Sequence, residues 1–303
     1  MGVRCQARKE SISSKYYGDV MLPLNALIRI ETSKPVAYDS PDHLGPWGTA
    51  HDNTKNPRFN RKLFAYITDV RLLDIGCSGG GLVKSIIDDG GFAVGIEGSD
   101  YSKIRKRAEW ATIPTRLFTA DATVRFTLLD DSGDTLLFNV VTAWEFFEHI
   151  DEEGLPGVID NIKRHLAPKG IVLASIALYE EVVGGFRLHQ TVQEKSWWIK
   201  MFAEHGLARQ EKLESYFNFD MVRGEPFRHR PSVTIALTRD GDSLPDSAKL
   251  DSLIKANRLR EAARFVEWLR QPSSMRYVAW TSKRYIESWL PGGRPHPIKP
   301  FSH

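Results

Sequence analysis

Four side chains of this 303-residue chain have the types and spacing for acid–base or metal chemistry. Glu145, Glu148 and His149 stand at i, i+3 and i+4 in Trp144-Glu145-Phe146-Phe147-Glu148-His149-Ile150. On a helical turn those spacings share one side. His189 follows in the stretch RLHQTVQEKSWW. Two carboxylates and two imidazoles form a mixed oxygen–nitrogen donor set suited to Mg²⁺, Mn²⁺ or a similar ion. A hydroxyl bound there loses its proton more easily. Without a metal, His149 and His189 are of the type that serves as a general base or shapes a pocket. A purely structural role is the third reading.

A second constellation is a glycine-rich turn. Arg71 to Asp100 reads as strand, turn, helix, strand. The apolar run ends at Asp74, and Gly76, Cys77, Ser78, Gly79, Gly80 and Gly81 crowd the turn. Without Cβ atoms a ligand can lie against bare backbone. The helix from about Leu82 points unpaired N–H groups at that ligand. Glu97 follows about 20 residues on, where a carboxylate accepts ribose hydroxyls. A dinucleotide fingerprint needs glycine where Ser78 stands. Asp74 sits badly near a pyrophosphate and well near a cationic amino acid. A third strand ends in Thr119-Ala120-Asp121-Ala122, and a fourth delivers Trp144.

Asp74-Ile75-Gly76-Cys77-Ser78-Gly79-Gly80 resembles the first motif of the class I S-adenosylmethionine (SAM)-dependent methyltransferases, [DE]-x-G-x-G-x-G, with Ser78 for the middle glycine. The resemblance implies SAM as cofactor, held by Asp74, Gly76, Cys77, Ser78, Gly80, Glu97 and Gly98. It places Asp121 at the adenine amino group with the Ala122 backbone beside it. Trp144 packs on the cofactor or simply closes the sheet. The E-x-x-E-H string with a later histidine resembles ubiquinone-pathway O-methyltransferases and small-RNA 3′-terminal 2′-O-methyltransferases. The latter hold a metal at these four positions, here Glu145, Glu148, His149 and His189. Over roughly residues 40–240 the chain looks like bacterial or viral glycan-associated methyltransferases. That implies a sugar hydroxyl, or a related small molecule, as methyl acceptor. The competing readings are an RNA 2′-O-methyltransferase and a catalytically silent module that keeps the fold as scaffold.

The elements that must position these residues follow from the pattern of short apolar strands alternating with helices. Candidate strands are 71–75, 92–96, 116–119, 136–143, 171–176, 207–213 and 233–238. Candidate helices are 82–88, 103–111, 157–166 and 194–205. The expected fold is α/β, a Rossmann-like, mostly parallel seven-stranded sheet with helices on both faces. The resemblance makes the last strand antiparallel. Residues 1–60 are expected to form an N-terminal segment whose Lys34–Phe59 loop, carrying Asp42, His43, Trp47, His51, Asp52, Asn53 and Arg58, is either a surface wrap or a lid that closes over cofactor and acceptor. A methyltransferase domain is expected over 61–240, and a helical extension with a loose tail over 241–303. That extension holds an amphipathic helix near 247–270, a short helix near 277–289, and eleven Lys/Arg against five Asp/Glu from Asp246 onward.

Net charge is +3, and the core shows no basic stripe, so nucleic acid is not the expected partner. The basic C-terminal region is the candidate for peripheral contact with a membrane. No run is apolar and long enough to span a bilayer. Two cysteines, Cys5 and Cys77, make neither a disulfide framework nor a zinc site. With no apolar signal core in Met1 to Glu10, the expected location is the cytoplasm. Nothing in the sequence sets the oligomeric state.

Overall fold

The computed structural model describes residues 27–218, 220–224 and 231–269, with side chains as far as 258. The expected 277–289 helix, the tail and residues 1–26 lie outside the described residues. The strands are β1 (Arg29–Thr32), β2 (Arg71–Ile75), β3 (Phe92–Glu97), β4 (Leu117–Thr119), β5 (Phe126–Leu129), β6 (Phe138–Trp144), β7 (Leu166–Ala177), β8 (Val182–Val183), β9 (Phe186–Arg187), β10 (Leu207–Arg209) and β11 (Ser232–Arg239). The helices are α1 (Pro41–Leu44), α2 (Trp47–His51), α3 (Pro57–Tyr66), α4 (Gly81–Asp88), α5 (Tyr101–Ile104), α6 (Leu155–His165), α7 (Lys195–Glu204), α8 (Glu211–Phe217) and α9 (Ser247–Leu269).

Seven strands form one sheet in the order β10-β11-β7-β6-β2-β3-β4. The pairs β7–β6, β6–β2, β2–β3 and β3–β4 are parallel, and β11 runs antiparallel to both its neighbours. This is the expected Rossmann-like arrangement. Alternate residues of the strands feed two cores. Leu73, Ile75, Val94 and Ile96 face one layer with α6 and α7, while Leu72, Ala93, Val140 and Trp144 face the other with α3, α4 and α8. Burying each large aliphatic side chain contributes about 1.5–3 kcal/mol. The chain crosses from one half of the sheet to the other between β2 and β6, and a crevice opens there at the strand C-termini, where such sheets bind ligands.

Some elements differ from the sequence reading. The helix expected over 103–111 is broken: Lys106 and Ala108 adopt positive φ, leaving the single turn α5 and a 3-10 turn, Ala108–Ala111. The strand expected to run to 213 ends at Arg209, and α8 follows at once. Two small ladders lacked a clear alternation: β1 pairs antiparallel with β5, and β8 pairs with β9. Among the described residues, no helix is long and apolar enough to cross a membrane. α9 packs through Leu250, Leu253 and Ile254 against the second core.

Candidate active site

The turn after β2 is held by its own backbone. Gly76 (φ +74) has no alternative, since a Cβ would stand 2.6 Å from the Phe146 ring. Ser78 also takes positive φ (+48), a conformation that costs a residue with a Cβ about 1–2 kcal/mol. Three bonds offset that cost. Its amide donates to Glu97 Oε2 (2.7 Å), its carbonyl accepts from Trp110 Nε1 (2.8 Å), and its hydroxyl donates to the Asp52 carbonyl (3.2 Å). The missing middle glycine is thus a tie to the segment above the turn. Glu97 accepts the Ser99 amide on its other oxygen (3.2 Å), and burial raises its pKa. A carboxylate oxygen offers two lone pairs, so each still has one to offer a ligand. Asp121 accepts from the Thr123 amide and hydroxyl and pairs with Lys34 at 3.0 Å. Burial alone would raise its pKa, but these partners hold it below the usual carboxylate range.

A cavity of about 200 Å³ opens over the turn. Gly76, Ser78, Glu97, Gly98, Asp121 and Ala122 line it, together with Asp42, Glu145, His149 and Glu181. Ala37, Trp47 and Asp52 of the 34–59 segment line it too.

Several expected site residues do not reach this cavity. Asp74 is 1% exposed beneath the turn, where it accepts the Thr142 hydroxyl at 2.7 Å; burial lifts its pKa to about 6. The Cys77 side chain packs into the space a Cβ on Gly95 would need. Trp144 is fully buried in the opposite core, edge-on to Phe59, so it closes the sheet. Gly80 starts α4 facing Leu117. The N-terminus of α4 does not face the cavity either. Residues 52–54 press on it so closely that a Cβ on Gly81 would stand 2.4 Å from the Asn53 carbonyl.

The acid–histidine group is built differently from a helical turn. Glu145 takes positive φ (+48), and a 3-10 turn begins only at Phe147. Its carboxylate accepts the Ser232 hydroxyl at 3.0 Å, and its Oε1 has no hydrogen-bond partner among the described residues. Glu148, His149 and His189 do converge, each with a potential ligand atom within 4.8 Å of the others. Glu145 is not among them, which corrects the four-ligand set. Glu148 Oε1 accepts the Ala177 amide at 3.0 Å, and Oε2 is buried without a partner. His189 Nδ1 faces the Tyr179 carbonyl at 2.6 Å, which places the proton there and leaves Nε2 a lone pair. His149 Nδ1 lies 2.9 Å from Asp42 Oδ2, and its ring meets that of His189 edge-on at 4.9 Å. Burial raises Glu148 and lowers His189. It would lower His149 too, but Asp42 and the nearby glutamates reverse that and raise it. These acids favour the protonated form of His149. Of the three, only His149 forms part of the cavity wall.

Sequence reasoning missed two residues. Asp42 was visible in the 34–59 segment but not as the partner of His149. Arg223, just before a segment with no motif, lines the cavity, and its Nη2 donates to the Gly76 carbonyl at 2.6 Å. Conversely, His51 is exposed, Asn53 binds Glu109, and Arg58 pairs with Asp220, all away from the cavity. His43 approaches Ser99 and Asp100 instead.

A family model described as a methyltransferase domain matches residues 47–218, more than half of the chain. The chain belongs to this methyltransferase family. The match bears out the class I SAM-dependent methyltransferase expected from the glycine turn. This methyltransferase is also similar to solved structures. One, from Pyrococcus horikoshii, is 17% identical, with 66% of this chain and 99% of that chain covered and a TM-score of 0.45. A SAM-dependent methyltransferase from Clostridium acetobutylicum is 13% identical, with coverage of 66% and 96% and a TM-score of 0.45. The glycopeptide N-methyltransferase MtfA, in complex with S-adenosyl-L-homocysteine, is 16% identical, with coverage of 61% and 88% and a TM-score of 0.41. No curated protein sequence matches.

Proposed function

We propose that this methyltransferase moves the methyl group of SAM to a hydroxyl of a sugar, glycan or related small molecule. The observation that carries the reading is one cavity whose wall includes Glu97 and Asp121 together with Asp42, Glu145, Glu181 and His149. In this reading Glu97 takes the ribose and Asp121 the adenine amino group, while Asp42, Glu145, Glu181 and His149 face a polar acceptor. The 34–59 segment serves as the lid. In-line transfer from a sulfonium needs mainly alignment. A sugar hydroxyl also needs help to lose its proton.

Glu148, His149 and His189 supply that help in this reading. Their donor set fits a divalent cation: the Glu148 Oε2 lacks a hydrogen-bond partner among the described residues, the Tyr179 carbonyl at His189 Nδ1 orients that ring and leaves its Nε2, 3.6 Å from Glu181 Oε2, as a donor atom, and His149 Nδ1 lies beside Asp42. A cation held there would supply Lewis acidity toward the acceptor oxygen. The proton on His149 and such a cation do the same electrostatic work between Asp42 and Glu148, so they exclude each other. Asp42 keeps the His149 ring in place in either state.

The test is labelled-methyl transfer from SAM to glycan, lipid and RNA fractions, with and without a chelator. The expected result is labelling of a glycan or small molecule that falls with chelation and returns with Mg²⁺ or Mn²⁺. His189→Ala is expected to reproduce the chelated level. Labelling indifferent to chelation would leave the histidines as bases, and labelling of RNA alone would sink the acceptor class.

A further inference from the structure

The cavity wall is strongly acidic. Asp42, Asp52, Glu97, Asp121, Glu145 and Glu181 all line it, against one Lys or Arg among the described residues, Arg223. The Arg223 side chain is only 18% exposed. It comes from the segment after α8 and is anchored by its own backbone, whose carbonyl accepts the Ser175 hydroxyl at 2.9 Å. The guanidinium reaches the first glycine of the turn, where Nη2 donates to the Gly76 carbonyl at 2.6 Å. Its Nε lies 3.5 Å from Asp52 Oδ2, too far for a good hydrogen bond. Among the described residues the side chain makes no other hydrogen bond. A five-donor fork is thus largely unspent inside a cavity.

A SAM molecule brings three charges into this space. The sulfonium and the ammonium are matched by the acidic wall. The α-carboxylate needs a cation among these acids, and with His149 held by Asp42 the cation beside the glycine turn is Arg223. The N-terminus of α4 cannot serve, because residues 52–54 cover it. Guanidinium and carboxylate match in shape and charge and form paired, charge-assisted bonds. We infer that Arg223 is the residue that binds the α-carboxylate of the methyl donor, and that it thereby selects an amino-acid-bearing nucleoside over one without that carboxylate. The inference rests on the SAM reading above. Arg223 also faces Asp74 and Glu97 electrostatically, and these acids keep it charged. A role limited to neutralising them is the rival account.

The two accounts part on a pair of ligands measured by calorimetry: S-adenosylhomocysteine and its decarboxylated analogue, which keeps the ammonium. Wild-type protein is expected to prefer S-adenosylhomocysteine by roughly 10- to 100-fold, the worth of a charge-assisted hydrogen bond. Arg223→Met is expected to lose that preference. It weakens S-adenosylhomocysteine by a similar factor and leaves the analogue, freed from a like charge, bound as well or better. Binding of the analogue reports that the variant is folded. If it is not, Arg223→Lys keeps the charge without the fork and is expected to show a smaller but still selective loss. Equal weakening of both ligands, or a wild type indifferent to the carboxylate, would overturn the assignment while leaving the SAM reading intact. A wild type that binds neither ligand would remove both.

Discussion

Glu97 joins the backbone to the cavity: its two oxygens hold the amides of Ser78 and Ser99, which fixes the turn, and the residue lines the cavity. Glu97→Ala is expected to weaken S-adenosylhomocysteine by about 1–3 kcal/mol in calorimetry, as for loss of a buried hydrogen-bond partner. Unchanged affinity would mean that Glu97 serves the turn alone. Glu97 and Asp121 could be singled out because each comes at or just after a strand end, in order after the glycine turn, and both line the cavity. Asp74 was legible as a position but not as an environment, since Thr142, 68 residues away in sequence, is what binds it. Arg223 was not legible at all. It is adjacent to the turn only through folding, 147 residues apart, and no local spacing encodes that contact.

At the scale of elements, α6 does more than fill the space beneath the sheet. Gly157, Asn161 and His165 recur every fourth residue on one of its faces, and each meets the segment that follows Asp121. A Cβ on Gly157 would stand 2.0 Å from the Thr123 carbonyl. Asn161 donates to the carbonyls of Ala122 and Val124 (both 2.9 Å) and accepts the Phe126 amide (3.1 Å). His165 accepts the Leu128 amide on Nε2 at 3.0 Å. The helix thereby fixes β5 and the loop that carries Asp121. The helix itself could be read from its apolar period, but its polar stripe looks like a solvated face until β5, too short to announce itself, lies against it. Burial lowers the pKa of His165 to about 4 from 6.5. Between those values the native state binds fewer protons than the unfolded chain. Stability is therefore complete above pH 6.5 and is lost as pH falls through 4, by about 3 kcal/mol in all. Urea melts at pH 7 and 4.5 are expected to show a larger drop for the wild type than for His165→Gln. Equal drops would show that another group controls the acid limb.

For the whole molecule, the sheet brings its functional side chains to one rim, and the chain then covers that rim with residues from near its start. The sheet order and the single antiparallel strand agree with the sequence reading, because alternating strands and helices leave few ways to bury both faces. The cover was legible only as an unusually long loop. What holds it could not be read: Ser78 and Arg107 both donate to the Asp52 carbonyl, and Arg223 stands beside the Asp52 carboxylate. These three contacts meet at one residue of the cover, and others hold it elsewhere: the Ser102 hydroxyl donates to the Thr49 carbonyl and the Ala37 amide to the Gly98 carbonyl.

That convergence on Asp52 has a kinetic consequence. On the proposed reading the spent donor would lie under this cover, whose clasp must open before the next round, and release is then expected to pace turnover, as it does in many enzymes whose sites are covered. A rapid-mixing assay is expected to show a burst of product in the first cycle, followed by a slower steady phase. Arg107→Ala, which removes one strand of the clasp, is expected to speed the steady phase and leave the burst rate alone. A linear time course from the first cycle would place the slow step in the chemistry instead. With a burst, the enzyme would count its acceptors one opening at a time, and the tempo would be set at Asp52 rather than at the methyl group.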